Sequence, residues 1–237
     1  MKKKIASIIT VLAIATNVCA AEPNKIDDSL SKRYPWLKYV RSMSPSPVKG
    51  LYEVTSGLNV IYFDPASGYR IHGRMLSPSG EDFTAISEKK AQREAYEEIR
   101  KHLSAAIKIG SGPNEVIEIT DPDCPFCRRM NDYWKKRSDV TRYVFMMPIT
   151  QLHPQAKVHS DYILSATDPA SALGEVESGK FDKTPPPTFV LNDSRIKAQA
   201  DSLISGINGT PAYFIRGQYI SGANESQINL ILKGEKR

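Results

Sequence analysis

The sequence predicts an α/β (α+β) chain in two folded parts: a small antiparallel sheet, then a connecting helix into a larger α/β sandwich. Three observations predict it. Short strand-like runs separated by turn residues fill the first third of the chain. A charged amphipathic helical stretch follows them. The remainder then runs strand, helix, strand, a helical block, a hairpin and a closing helix.

The first twenty residues stand apart from this plan. "MKKK" is a positive start, "IASIITVLAIATNV" is an apolar run too short to span a bilayer, and "VCA" offers small residues before Ala21. That is the pattern of a secretory signal peptide over residues 1–20, cleaved between Ala20 and Ala21. A lipoprotein signal at Cys19 competes, but Val18 is bulky where that pattern wants Gly or Ala. Cleavage removes Cys19 together with Lys2, Lys3 and Lys4, so the formal net charge falls from +6 to +3. No basic block or aromatic–basic alternation remains, so the sequence carries no nucleic-acid signature. No second stretch approaches about 18 apolar residues. The expected product is soluble in the periplasm or the medium, where disulfides persist.

After the signal, residues 21–85 form the first predicted domain. "KIDDSLSKRYPWLKYV" reads as a short helix, and "SMSPSPV" as a Pro-rich break. "GLYEVTS", "LNVIYFD" and "YRIHGRML" read as strands, with turns at Ser56–Gly57 and over Asp64 to Gly68. In the third run Tyr69, Ile71 and Met75 share one face, opposite Arg70, His72 and Arg74. So small a sheet buries too little surface to be stable alone and needs a partner. From Ile86 to Ile107 the stripe Ala91, Ala95, Ile99, Leu103 and Ile107 predicts a helix, read as the linker over 86–110.

The second domain, 111–237, opens with the strand "EVIEIT", the loop "DPDCPFC" and the helix "RRMNDYWKKRS". "VTRYVFMMP" is another strand, and 151–206 is mostly helical, broken at "SGKFDKTPPPT". "GINGTPAYFIRGQYISG" reads as a turn and hairpin, and "NESQINLILKG" as the last helix.

Cys124 and Cys127 are the thiols the mature chain keeps, and three chemistries compete for them. A zinc site needs four ligands, and His153 and His159 have a suitable mutual spacing. Yet a predicted helix and strand separate them from the cysteines, and Pro154 breaks the chain at the first ligand. The histidines are expected at the surface or at helix ends. A structural staple closing two residues constrains the unfolded chain very little. A redox couple explains more. At a strand-to-helix junction the Cys124 thiolate faces unpaired N–H groups at the positive helix end, and Pro125 suits the first helical position. Cys124 is therefore read as the nucleophile and Cys127, one turn in, as the buried resolving thiol. The chemistry needs no metal or other cofactor. Asp121 and Asp123 would oppose the thiolate if close, and Asp123 is a candidate helix cap.

"CPFC" at that junction, with "GTPA" before a late strand, resembles the thioredoxin superfamily. The resemblance places Thr210 and Pro211 in a cis-proline loop beside the thiols, with Pro125 and Phe126 completing the substrate-facing surface. "VIYFDPASGYRIHGRML", "EITDPDCPFCRRM" and "GINGTPAYFIRGQYISG", in that order behind a signal peptide, extend the resemblance to the DsbC/DsbG family of periplasmic disulfide isomerases. The family implies a homodimer joined through N-terminal dimerisation domains, with a thioredoxin-like catalytic domain carrying a helical insertion. It also implies misoxidised secreted proteins as substrates and a DsbD-like membrane reductase as partner. A DsbA-like thiol oxidase and a DsbG-like holdase are the competing activities. Two departures stand out: Pro-Phe lies between the cysteines where DsbC members carry Gly-Tyr and DsbG members Pro-Tyr, and the second cysteine pair of some relatives has no counterpart here.

Overall fold

The computed structural model describes residues 27–204 and 206–234, so the expected signal peptide lies outside the described residues. Helix α1 (Asp28–Arg33) starts where the Asp27 carboxylate accepts the Ser29 N–H. Pro35 ends it, because the residue before a proline is pushed out of the helical region, and Tyr34 has φ −128°. The single helix expected from the sequence is therefore split into α1 and a 3-10 turn (Pro35–Tyr39).

Four antiparallel strands follow in chain order: β1 (Ser42–Pro45), β2 (Tyr52–Ser56), β3 (Asn59–Phe63) and β4 (Arg70–Ile71). The Pro-rich "break" thus contains an edge strand. Met43 turns into the core, and Pro45 ends the strand at the sheet edge, where a missing donor is tolerated. Val54, Ile61, Phe63, Met43 and Leu37 form the core of this sheet. Tyr34 and Trp36 stand edge-on to Phe63, with ring centroids 4.9 and 5.1 Å away.

The third predicted strand is largely lost. Only Arg70 and Ile71 pair with β3, and Tyr69 and Ile71 stay 75% and 46% exposed. Competing hydrogen bonds explain the change. Met75 N–H donates to the Thr84 hydroxyl, Phe83 N–H donates to the Met75 carbonyl, and Arg74 pairs with Asp82 at 2.6 Å. These bonds tie residues 74–76 to the start of the next helix instead of to the sheet.

That helix, α2 (Phe83–Arg100), begins where the Asp82 carboxylate accepts the Ala85 N–H. It ends seven residues before the sequence stripe does. Leu103 lies in a 3-10 turn (Leu103–Ala105), and Ile107 opens strand β5 (Ile107–Ile109). Nor is α2 a bare connector. Its buried Ala95 and Ile99 cover Ile117, Ile119, Phe145 and Phe214 of the second sheet.

The second sheet is ordered β5-β7-β6-β8-β9, with β6 (Asn114–Thr120), β7 (Val140–Met146), β8 (Ala212–Ile215) and β9 (Gln218–Ser221). β6 and β7 are parallel, joined through α3 (Pro125–Trp134), and every other pairing is antiparallel. Arg216 and Gly217 make the β8–β9 turn with φ of 51° and 77°, the positive pair a two-residue hairpin requires. Helices α4 (Ala156–Ser165), α5 (Pro169–Glu177) and α6 (Asp193–Ser202) are inserted between β7 and β8. α7 (Glu225–Lys233) closes the fold, packing Ile228 and Ile231 with Met130 and Trp134 of α3 on the face opposite α2. This is a thioredoxin-like domain with a helical insertion, preceded by an antiparallel-sheet domain. The two touch directly: Leu58, at the β2–β3 turn, is buried in the second domain's core. Gly206 approaches so closely that a Cβ there would lie 2.4 Å from the Gly57 Cα.

Beneath α3 the second core holds an ion pair. Arg142 Nε donates to Glu118 Oε2 at 2.7 Å, and both side chains are buried. The Arg142 guanidinium also lies over the Trp134 ring, and Glu177 is buried nearby. Removing one partner of such a pair strands the other charge. Arg142→Ala is expected to lower the unfolding free energy by about 3–5 kcal/mol, read from urea midpoints.

Glu177 gives a second, pH-dependent expectation. Burial, then the Glu118 charge, pushes its carboxyl up to about 8. A carboxyl raised in the folded state binds its proton more tightly there, so wild-type stability falls as pH rises from about 4.5 to about 8. Glu177→Gln is expected to lack that fall, so its denaturation midpoint gains on wild type across this window and levels off above it. Parallel pH profiles for the two proteins would refute this.

Candidate active site

Strand β6 delivers the chain to Thr120 at the C-terminal end of the sheet, and α3 starts five residues later. Cys124 is the N-cap residue of α3, with φ −70° and ψ 122°, and Pro125 occupies the first helical position. There the proline's missing N–H would have had no helical partner. The N–H groups of Phe126 and Cys127, in the first turn, have no helical carbonyl to bond, and their proximity favours a negative charge on the Cys124 sulfur. Asp123 is therefore not the cap. Its backbone N–H instead donates to Asp121 Oδ1 at 2.9 Å, folding the loop back on itself.

One helical turn on, Cys127 is 0% exposed, against 5% for Cys124. Both are free thiols. Across from them the Thr210–Pro211 peptide bond is cis, and the Cys124 thiol lies 3.5 Å from the Thr210 carbonyl oxygen. The structure therefore brings Cys124, Cys127, Thr210 and Pro211 together, although 86 residues separate Cys124 from Thr210. Pro125 and Phe126 face outward. Phe126 is 57% exposed, with the Arg129 guanidinium over its ring at 5.4 Å.

The two thiols are driven apart in acidity. A hydrogen bond from Cys127, followed by the Cys127 backbone N–H, Thr210 and the Phe126 backbone N–H, brings Cys124 down to about 5 against the opposing effect of burial. Burial and the same cysteine contact push Cys127 up, only partly offset by the Thr120 side chain and the Asp121 backbone. At neutral pH the pair is one thiolate and one protonated thiol. That arrangement suits attack by one sulfur with the other held in reserve.

Sequence reasoning placed the histidines at the surface or at helix ends; His153 is half-buried just before α4, whereas His159 is buried within it. His153 Nδ1 lies 2.9 Å from Asp121 Oδ2, and buried His159, on α4, places Nδ1 2.7 Å from Asp123 Oδ1. They meet the aspartates rather than the cysteines, so among the described residues the four-ligand zinc alternative is not assembled. Arg128 completes the surroundings, with Nη2 3.0 Å from Asp123 Oδ1.

Comparisons with known proteins agree with this geometry. Residues 17–85 match the family model described as disulfide bond isomerase protein N-terminal domain, DsbC_N. The chain is also similar to a crystal structure of a disulfide interchange protein from Neisseria gonorrhoeae. Identity is 30%, covering 57% of this chain and 98% of that one, with a TM-score of 0.43. The chain belongs to the DsbC/DsbG family of disulfide interchange proteins. Among other solved structures similar to this family member is ScsC of Proteus mirabilis in a transitional conformation. It is 22% identical over 63% of this chain and 83% of that one, with a TM-score of 0.48. A periplasmic thioredoxin-like protein from Salmonella enterica serovar Typhimurium is 20% identical over 57% and 94%, with a TM-score of 0.37. No curated protein matches the chain by sequence.

Proposed function

We propose that this family member is an exported disulfide isomerase and reductase that corrects wrong disulfides in secreted proteins. The observation that carries the reading is the placing of Cys124 at the α3 N-cap, against the cis Thr210–Pro211 loop, with Cys127 buried one turn in. Cys124 is the nucleophile. Its thiolate attacks one sulfur of a substrate disulfide, forming a mixed disulfide and releasing the other substrate sulfur as thiolate. Isomerisation follows when a substrate thiolate attacks the mixed disulfide and expels Cys124, with no net electron transfer. Reduction follows when Cys127 gives up its proton and displaces the substrate, leaving the Cys124–Cys127 disulfide and a substrate dithiol. A DsbD-like membrane reductase then returns two electrons.

In this reading the Thr210–Pro211 loop, Pro125 and Phe126 contact the substrate chain. Export uses the signal peptide over residues 1–20. The first sheet pairs with a second copy, which would cover the exposed Tyr69 and Ile71. A thiol oxidase is the second reading, favoured by the low Cys124 pKa. Thiolate stabilisation favours the reduced form and so makes the disulfide more oxidising.

One experiment separates the two. Alkylation of the protein in intact cells is expected to find Cys124 and Cys127 mostly reduced, and purified protein is expected to reactivate a scrambled multi-disulfide enzyme. A mostly oxidised couple without reactivation would replace the isomerase reading with the oxidase one. Equal reactivation by wild type and Cys124→Ala would remove the enzyme reading altogether.

A further inference from the structure

Asp123 directly precedes Cys124 and Asp121 lies three residues before it, and a carboxylate charge close to a thiolate opposes it. The structure shows what holds them. Asp121 is fully buried, and its Oδ2 accepts the Ile149 N–H at 2.7 Å and meets His153 Nδ1 at 2.9 Å. Asp123 Oδ1 meets His159 Nδ1 at 2.7 Å and Arg128 Nη2 at 3.0 Å. Arg128 is shared: its Nη1 lies 2.8 Å from Asp182 Oδ1, and its Nε donates to the Pro122 carbonyl at 3.0 Å. Its single positive charge therefore serves two carboxylates, Asp123 and Asp182. The imidazole of His159 is the other group that holds Asp123.

We propose that His159, and His153 beside it, are positioning residues for disulfide exchange. They hold Asp123 and Asp121 in place, each imidazole Nδ1 engaging one carboxylate oxygen, so that the Cys124 thiolate keeps the stabilisation of the helix N-terminus. The proposal rests on Cys124 being the reacting thiol. The helical insertion then acts on the redox couple electrostatically, through Ile149, His153 and His159, besides packing on the sheet. The charged groups facing His159 are Asp123 from the active-site loop and, beside it, Arg128 from α3. Asp182, in the loop after α5, acts through Arg128. Facing His153 is Asp121.

Thiolate absorbance near 240 nm, followed against pH, tests this in wild type, His159→Gln, His153→Gln, Asp123→Asn and the Asp123→Asn/His159→Gln double variant. Glutamine keeps a hydrogen-bond donor and removes the imidazole. His159→Gln is expected to weaken Cys124 acidity about three- to tenfold, and His153→Gln to shift it the same way. Asp123→Asn is expected to strengthen it, and the double variant to return toward wild type. A purely structural role would not give the two single changes opposite signs. Unchanged titration in folded His159→Gln, or a weaker thiol in Asp123→Asn, overturns the proposal. If His159→Gln does not fold, Asp123→Asn decides alone: a stronger thiol supports the proposal, and an unchanged or weaker one overturns it. Should wild type itself titrate near 9, the functional reading falls and takes this one with it. Should wild type titrate near 5 with all variants superposed, only the positioning role falls.

Discussion

Cys124→Ser is expected to lose disulfide exchange by at least about a thousandfold, with the fold intact. Serine is nearly isosteric and can keep the N-cap geometry, so the change removes the thiolate and little else. Cys127 cannot substitute. It is fully buried, and its proton is held more tightly than that of an ordinary thiol. The complementary variant, Cys127→Ser, should behave differently. Attack by Cys124 still occurs, but the intramolecular release is gone, so mixed disulfides accumulate and appear as high-mass bands on non-reducing gels. If Cys124→Ser retained exchange, or if Cys124 rather than Cys127 variants trapped substrate, the two roles would have to be reversed or abandoned.

How much of this was legible in the sequence depends on the range of the forces involved. Local chemistry was readable. The "SG" turn before Leu58 and the Arg216–Gly217 turn announce hairpins, because few residues accept positive φ there. "CPFC" after an apolar strand marks a helix start, because Pro125 suits the first helical position. Long-range competition was not readable. The run from Tyr69 to Leu76 alternates like a strand, yet Thr84 and Asp82 capture its second half. Leu103 and Ile107 continue the helical stripe, yet Ile107 pairs with Val144 in a sheet whose partner strand lies more than thirty residues on. The same holds in the site. Nothing in the spacing of His153 and His159 says that they reach back to Asp121 and Asp123 instead of to the cysteines. The acidic and basic residues were visible, but their pairing is a property of the insertion's fold.

The acidity of Cys124 makes the second large effect, and its sign can be worked out. The folded thiol sits at about 5, well below the ordinary value of about 9, because the Cys127 hydrogen bond and the helix N–H groups favour the anion. A depressed pKa stabilises the folded, reduced protein fully above the unfolded value and loses that stabilisation as pH falls through the folded one. The window here therefore runs from about 9 down to about 5. At pH 7 about half of it is in force. Cys127 adds nothing at that pH, since it is protonated both folded and unfolded. The oxidised protein has no thiol to titrate. The melting temperature of the reduced form should therefore gain on the oxidised form as pH rises from 5 to 8, and the gain should vanish in Cys124→Ser. The rate of alkylation by iodoacetamide should follow the same group, with a midpoint near 5 where an ordinary thiol gives one near 9. A reduced–oxidised difference flat across this range, together with a midpoint near 9, would mean that the helix N-terminus does not activate Cys124. The couple would then lack the thiolate that its proposed chemistry requires.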